Sequence, residues 1–493
     1  MERMSVSKQE RKNSARGTRP SRSRTTRTPR ATHTARTTNS ARSSHATPAR
    51  RAALQALDQF DQQGGYIRPL VQNLIQHKQM SSADKAFAQV LALGVVTYRG
   101  VLDELINGVL KSPDDIKDNV RRALQIATYE LYFLDKSAHA AVDQGVELVR
   151  FVNPRAAGVA NFVMRRLSEK RPDFPFGNPE ADLDALSRLH GFPSWLAKRL
   201  IDDLGRSKAE KLMAQSNKPA ALYFMINTLR VPGPQTCTVL AQHGFKLKRV
   251  ESYGETSDFP TLCCDDRTLV SDPLFSGLLQ EGAIIVSDWA AQQVVQCALP
   301  KAQPRSMLEI GAGRGTKTVM IQTASVNRYG MQIELDCLDL NKERLEELTR
   351  RTAKGNVSVR AIIYDDATKL SRVGSKQYDV VFIDAPCSGT GTLDKHPEIR
   401  WRITSQEIGS LAALQRSILN TASTHVAPGG RLVYATCSAL TQENQDVIDA
   451  FLATEQGASF APVSLGSGDH DSFFSLDTDQ VCDAHFCSVL VKN

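Results

Sequence analysis

From Ile284 onward, short continuous apolar runs alternate with helical segments, and this alternation constrains the fold more than any other feature of the chain. The runs are Met307 to Ile310, Ile333 to Leu340, Val357 to Ile363, Tyr378 to Ile383 and Arg431 to Thr436. Helical stretches fall at Thr316 to Thr323, Lys342 to Arg351, Ser405 to Val426 and Glu443 to Ala453. Strands that are apolar on both faces need cover on both faces. The pattern therefore predicts a buried parallel sheet with right-handed crossovers, an α/β Rossmann-like domain over 286–493.

The segment before it follows other rules. Ala53, Leu54, Leu57 and Phe60 share one helical face, as do Leu124, Ala127, Leu131 and Leu134, and further helical stretches fill 48–172, which predicts an all-α bundle. Arg171-Pro172 and the run from Pro175 to Pro179 read as a linker. Within 173–285, helical stretches at Asp184 to Leu189, Pro193 to Leu204 and Ser207 to Gln215 precede strand-like Leu222 to Leu229, a helix near Cys237 to His243 and strand-like Phe245 to Val250. A small α+β module fits that order.

With 493 residues a multi-domain chain is expected. Its charge is unevenly spread: residues 1–47 carry 12 Lys/Arg against Glu2 and Glu10, and the remainder carries 49 against 51 acids. That basic tail has almost no aliphatic residues and is expected to be disordered. It serves either to contact RNA phosphates or to keep the protein in solution. No run of 18 apolar residues and no secretory signal occur, so a cytoplasmic protein without membrane contact is expected. The nine cysteines are irregularly spaced and include no C-x-x-C pair, which predicts reduced thiols and no metal.

The loop after the first strand of the α/β domain reads Glu309-Ile-Gly311-Ala312-Gly313-Arg314-Gly315-Thr316-Lys317. Its glycines let backbone approach a ligand before the chain enters a helix, as in binders of dinucleotides and of S-adenosyl-methionine. Asp339 ends the second strand, suited to ribose hydroxyls, and Asp365-Asp366 ends the third. The fourth strand runs into Asp384-Ala-Pro-Cys387, and the fifth ends Tyr434-Ala-Thr-Cys437-Ser438. A strand-end acid taken alone is as readily a helix N-cap, and a lone cysteine is usually a small buried hydrophobe. Their repetition around one crevice points to a site.

Together with His396-Pro397-Glu398, Trp401 and Glu443-Asn444, these motifs resemble the NOL1/NOP2/Sun RNA cytosine-5 methyltransferases. The helical segment is similar to the NusB fold, a fusion that resembles the Sun/RsmB-type branch acting on 16S ribosomal RNA. The resemblance covers about 48–493. It implies a class I methyltransferase domain in which residues 311–317 (Gly311, Ala312, Gly313, Arg314, Gly315, Thr316, Lys317) and Asp339 and Asp366 hold S-adenosyl-methionine. It also implies that Asp384 lines the shared cofactor and base pocket, that Cys437 is the nucleophile and that Cys387 assists product release. The implied partner is small-subunit ribosomal RNA at a cytosine-967-type site, bound by a monomer, with no DNA.

The chemistry accounts for two thiols and an acid. Carbon 5 of cytosine is not nucleophilic until a thiolate adds to carbon 6. A carboxyl group at N3 then favours the adduct, and a second thiol serves as base for the carbon 5 proton. Departures from the usual family pattern are Arg314 in place of proline, Asp394-Lys395, Thr441, and Asp483-Ala-His485-Phe486 where Asp-Gly-Phe-Phe is usual. The competing reading is a non-catalytic RNA-binding factor of ribosome assembly or antitermination, against which stands the retention of Cys387, Cys437 and Asp384. An exocyclic-amine methyltransferase would want Asn/Asp-Pro-Pro-aromatic at the fourth strand end.

Overall fold

The computed structural model describes residues 46–253, 258–465 and 472–493. The tail expected to be disordered lies outside them up to residue 45.

Seven helices between Pro48 and Lys170 form the first layer. Their starts are written locally: Pro48 sits at the first helical position, Ser81 accepts the Asp84 amide and Ser137 accepts the Ala140 amide. The helix Asp118–Phe133 lies at the centre and buries Leu124, Ala127 and Leu131, while Leu54, Leu57 and Phe60 close over the same core. Gly94 permits the closest approach, since a Cβ there would lie 2.0 Å from the Tyr129 ring. The buried Glu130 is balanced by Arg50 and Lys136, each at 2.7 Å.

The next segment divides into two packed pieces. Helices Leu183–His190, Ser194–Leu204 and Arg206–Gln215 bury Leu186, Leu196, Leu200 and Leu212 against Leu393, Ala439 and Leu440 of the α/β domain. The strands β1 (Leu222–Ile226), β2 (Leu247–Val250), β3 (Thr261–Cys264) and β4 (Ile284–Val286) form an antiparallel sheet in the order β2-β3-β1-β4. The helices Gly233–Gln242 and Pro273–Gln280 connect β1 to β2 and β3 to β4. The sequence reading found β1, its helix and β2, but not β3 or the second helix. Asp272 caps that helix by accepting from Leu274 and Phe275.

The α/β domain holds β5 (Ser306–Ile310), β6 (Glu334–Asp339), β7 (Ala361–Tyr364), β8 (Tyr378–Asp384), β9 (Val426–Thr436), β10 (Phe460–Pro462), β11 (Ser472–Phe474) and β12 (Phe486–Lys492). The sheet order is β10-β12-β9-β8-β5-β6-β7, with β11 paired to β12. Five strands, β5 to β9, are parallel as expected. The purely parallel expectation is corrected at the other edge, where β12 runs antiparallel to β9, β10 and β11. At that edge β10 and β11 have three residues each, too few for a readable periodicity, whereas β12 has seven. Strand order reverses between β5 and β8, and the carboxyl ends of those two strands flank the crevice in which such folds bind ligands.

One segment, 394–402, locks the layers together. Arg400 is wholly buried, its guanidinium donating to the carbonyls of His190 (3.2 Å) and Gly191 (3.3 Å), to Asn217 Oδ1 (3.0 Å) and to Ser216 Oγ (3.2 Å). Burial without a bonded carboxylate pulls its pKa down to about 10. Trp401 Nε1 donates to Thr97 O at 3.1 Å in the helical domain, and its ring covers Gly100. Arg68 of the helical domain donates in return to Asp394 O at 2.9 Å.

A Cβ at Gly100 would stand 2.3 Å from Trp401 Cζ3. Gly100→Ala should therefore destabilise the protein by about 1–3 kcal/mol through overpacking. Most of that cost should vanish in a Trp401→Ala background, a non-additivity that a thermal-melt double-mutant cycle measures.

Candidate active site

The glycine loop rises from β5. Gly311 (φ 79°), Gly313 (φ 56°) and Gly315 (φ 78°) all take left-handed backbone conformations that favour glycine. The amides of Gly311 and Ala312 both donate to Leu338 O, at 2.8 and 3.0 Å, which ties the loop to the end of β6. A Cβ at Gly311 would meet Asp384 O at 2.3 Å, so only glycine lets the β5 and β8 ends close on each other here. Thr316 opens the helix Thr316–Tyr329 and its hydroxyl accepts from Arg351, while Arg314 points to solvent.

Asp339 is buried at the end of β6. One carboxylate oxygen accepts the Gly313 amide at 2.9 Å and the other accepts the Asn341 amide at 2.8 Å, leaving the remaining lone pairs beside the loop. Asp366 follows β7, one strand further out. Its Oδ1 accepts from the amide and hydroxyl of Thr368, at 2.9 and 2.7 Å, so it caps its own turn, and those bonds hold its carboxyl below the ordinary range. The loop, Asp339 and the Asp384 end of β8 thus line one cleft, with Asp366 at its margin. The glycine loop and the acceptor oxygens of Asp339 are groups of the kind that hold a ribose and a charged tail at the strand ends of such folds.

Across the cleft the two cysteines meet. Cys387 lies three residues beyond β8, Cys437 directly after β9, and their sulfurs are 3.2 Å apart. The pair is asymmetric. The hydrogen bond between the two sulfurs, in which either can donate, lowers the pKa of Cys437; the Lys317 ammonium adds to this, while burial, Asp384 and Glu443 oppose it. Cys387 is pushed well above the ordinary thiol value, chiefly by that same bond and then by burial. Lys317 Nζ is 2.7 Å from Asp384 Oδ2. Burial disfavours the ammonium, but Asp384 outweighs it and raises the Lys317 pKa.

Residues that the sequence did not single out for a role hold this pair in place. Glu443 is fully buried; its Oε1 accepts from the Ser388 amide (2.8 Å) and Gln415 Nε2 (3.1 Å), and its Oε2 accepts from Ser388 Oγ and Ser438 Oγ (both 2.5 Å). Ser388 and Ser438 each follow one of the cysteines, so one carboxyl group staples both thiol loops. The only sequence signal was a glutamate six residues past Cys437. Nearby, Asp288, Asp483 and His485 bring potential ligand atoms within 4.8 Å of one another. Lys395 Nζ stands between the two carboxylates, 3.0 Å from Asp288 and 2.5 Å from Asp483, and supplies the counter-charge itself.

Comparison with known proteins agrees with this architecture. Three family models match: the NusB family over residues 47–169, the ferredoxin-like domain of RsmF/B-like methyltransferases over 192–256, and 16S rRNA methyltransferase RsmB/F over 296–478. Ribosomal RNA small subunit methyltransferase B of Xanthomonas campestris pv. campestris is 30% identical over 417 residues, covering 83% of this chain and 89% of that protein. A protein of the same name from Escherichia coli is 27% identical over 448 residues, covering 90% and 98%. Among solved structures, PH0851 superposes with a TM-score of 0.72 at 22% identity, over 91% of this chain and all 100% of its own. NSun6 from Pyrococcus horikoshii, solved with SFG, gives 0.51 at 18% identity over 62% and 99%. These two likenesses concern the fold. The family assignment rests on the sequence relatives and on the order of the matched domains: the chain belongs to the RsmB/F family of 16S rRNA methyltransferases.

Proposed function

We propose that this protein transfers a methyl group from S-adenosyl-methionine to carbon 5 of a cytosine in small-subunit ribosomal RNA, through a covalent adduct with Cys437. The observation that carries this reading is the Cys387–Cys437 contact of 3.2 Å beside the Lys317–Asp384 pair. A class I methyltransferase fold alone needs no thiols. Two of them at adjacent strand ends suit the one class of methyl transfer that must first activate a pyrimidine ring.

S-adenosyl-methionine, held by Gly311–Lys317 and Asp339, supplies an electrophilic methyl group on sulfur, toward which carbon 5 becomes nucleophilic. The chain's own residues do the rest. Cys437 is the thiol with the lowered pKa, so it is the one available as thiolate to add to carbon 6. Electron density then gathers at N3. A proton delivered to N3 by the Asp384 carboxyl group, passed on from the Lys317 ammonium hydrogen-bonded to it, meets that density. Cys387, freed from donating to Cys437 once that sulfur is bonded to carbon, removes the carbon 5 proton as thiolate or through water. Expulsion of Cys437 restores the ring and releases the RNA. Asp366, at the cleft margin, completes the adenine side.

The names of the relatives support ribosomal RNA of the small subunit as substrate, and the resemblance to the Sun/RsmB-type branch points to a cytosine-967-type position. The helical domain 48–172 and the module 173–285 serve to grip that RNA, the methyltransferase domain 286–493 carries the chemistry, and the protein works as a cytoplasmic monomer.

Two outcomes test the thiol assignment. Cys437→Ser should lower methyl transfer by more than about 1,000-fold and form no covalent complex, because carbon 6 is never attacked. Cys387→Ser keeps a hydroxyl donor toward Cys437 but loses the base, so denaturing gels should show RNA-bound protein that accumulates only with S-adenosyl-methionine. Reversed behaviour of the two variants would exchange their roles.

The lowered Cys437 pKa also has a sign. Its thiolate persists as pH falls through the ordinary thiol range near about 8.5, so iodoacetamide should label Cys437 faster than Cys387 at neutral pH. Lys317→Met removes a favourable positive charge and should shift the labelling midpoint of Cys437 upward. Mass-spectrometric mapping of the labelled peptide checks both.

A further inference from the structure

The antiparallel module and the α/β domain meet across a groove of about 400 Å³. One wall is β4, the free edge of the four-stranded sheet, where Val286 is exposed together with Leu279 of the helix Pro273–Gln280. The other wall is the second half of the helix Lys342–Gly355, which contributes Glu347, Arg350, Arg351 and Lys354. The walls are fixed to each other. The buried Asn227 side chain donates to Gly282 O at 2.9 Å and to Gly355 O at 2.8 Å, and a Cβ at Gly282 would lie 3.3 Å from Gly355 Cα. The groove is therefore formed before a ligand arrives, which lowers the cost of ordering it on binding.

Its charge is lopsided, with three cations against one acid. Arg350 bonds Glu347 at 2.8 Å, whereas Lys354 is exposed and hydrogen-bonds no carboxylate among the described residues. A lysine in the last turn also suits the helix dipole, but the dipole does not account for Arg351. Arg351 is half-buried and donates to Thr316 Oγ1, and among the described residues it too hydrogen-bonds no carboxylate. Arg314, which stands where the family has proline, brings a fourth positive charge within reach of it. Burial first, opposed by Glu347 and then reinforced by Arg314, pulls the Arg351 pKa down. Like charges gathered in a partly desolvated place are costly until an anion lies among them. The cationic wall also leads to the cleft, because Thr316 precedes Lys317, whose ammonium bonds Asp384 at 2.7 Å. A ligand that suits both walls has an apolar face and repeated negative charge along one edge. Unpaired RNA has both, in its bases and its phosphates. An acidic polypeptide added to β4 as a further strand would turn alternate carboxylates away from the cations.

We propose that this groove seats single-stranded RNA that flanks the target nucleotide, with Arg314, Arg350, Arg351 and Lys354 meeting its phosphates while Leu279 and Val286 pack against its bases. The inference rests on the function proposed above and deepens it by giving the RNA backbone a place between the module and the α/β domain. It also gives a role to Arg314, whose side chain points to solvent.

The test uses full-length protein and a transcript of small-subunit ribosomal RNA, with affinity measured by filter binding between about 50 and 200 mM salt. The double variant Arg350→Gln/Lys354→Gln touches neither the glycine loop nor the thiols. It should weaken RNA binding about tenfold at the lower salt and reduce the slope of log affinity against log salt by about 1–2. Its affinity for S-adenosyl-methionine, by calorimetry, and its melting temperature should stay at the wild-type values. Arg351→Gln should weaken RNA binding as well, and Arg351→Lys, which keeps the charge, should recover most of it. Unchanged affinity and slope in the double variant would overturn the proposal. An equal loss of affinity for poly-L-glutamate would overturn it too, by assigning the groove to acidic polypeptides. RNA binding is read here without catalysis, so a protein that forms no 5-methylcytidine yet shows the reduced slope would refute the proposed function and uphold the groove.

Discussion

Everything at the reaction centre depends on one buried carboxyl group. Glu443 has no exposed surface, and isolation of such a group from water costs several kcal/mol unless donors surround it. Four donors do: the Ser388 amide and hydroxyl, the Ser438 hydroxyl and Gln415 Nε2. Two strand-end loops that would otherwise fray independently are thereby drawn to a common point, and the sulfurs of Cys387 and Cys437 come to 3.2 Å. Gln415 also donates to Pro386 O at 2.9 Å, so the helix Ser405–Ser423 underwrites the same geometry.

Once the sulfurs are that close, electrostatics divides their labour. Two thiols sharing one hydrogen bond cannot both ionise easily, and that bond first, with Lys317 assisting, lowers the pKa of Cys437 while Cys387 is raised. Lys317 leaves the first turn of the helix after the glycine loop, and Asp384 leaves the end of β8. Their 2.7 Å pair therefore ties the helix after the glycine loop to the strand end that leads to Cys387. The crevice exists because strand order reverses between β5 and β8, and the fold places both halves of the site at that reversal.

Much of this was legible in the sequence where local signals were strong. Strands β5, β6 and β8 were found within a residue or two because their apolar runs are continuous and both faces are covered. The third strand was begun too early at Val357. The helix Lys342–Gly355 ends on Asn356 in a left-handed conformation, and the Val357 amide still bonds back to Thr352 O at 2.9 Å. The fifth was begun too late, since Pro428-Gly429-Gly430 reads as a turn although β9 runs through it with a register shift. Of the antiparallel strands, β10 and β11 have three residues each and no pattern of their own, while the seven-residue β12 lay beyond the last element read from the sequence. Within the site, the residue types could be read but not their pairings. Lys317 and Asp384 are 67 positions apart, and Ser388 and Glu443 are 55 apart.

The segment 394–402 extends the same logic to the whole molecule. Lys395 balances Asp288 and Asp483 next to the thiols, while a few residues on Arg400 and Trp401 anchor in the neighbouring helices. The reaction centre is thus held within a single packed body. The most direct measurement of the central claim is nucleoside analysis of small-subunit ribosomal RNA after incubation with the purified protein and S-adenosyl-methionine labelled in its methyl group. The account predicts the label in 5-methylcytidine and in no other nucleoside. Label in N4-methylcytidine, in a ribose methyl or in a purine would contradict it, because none of those products needs a thiolate at carbon 6.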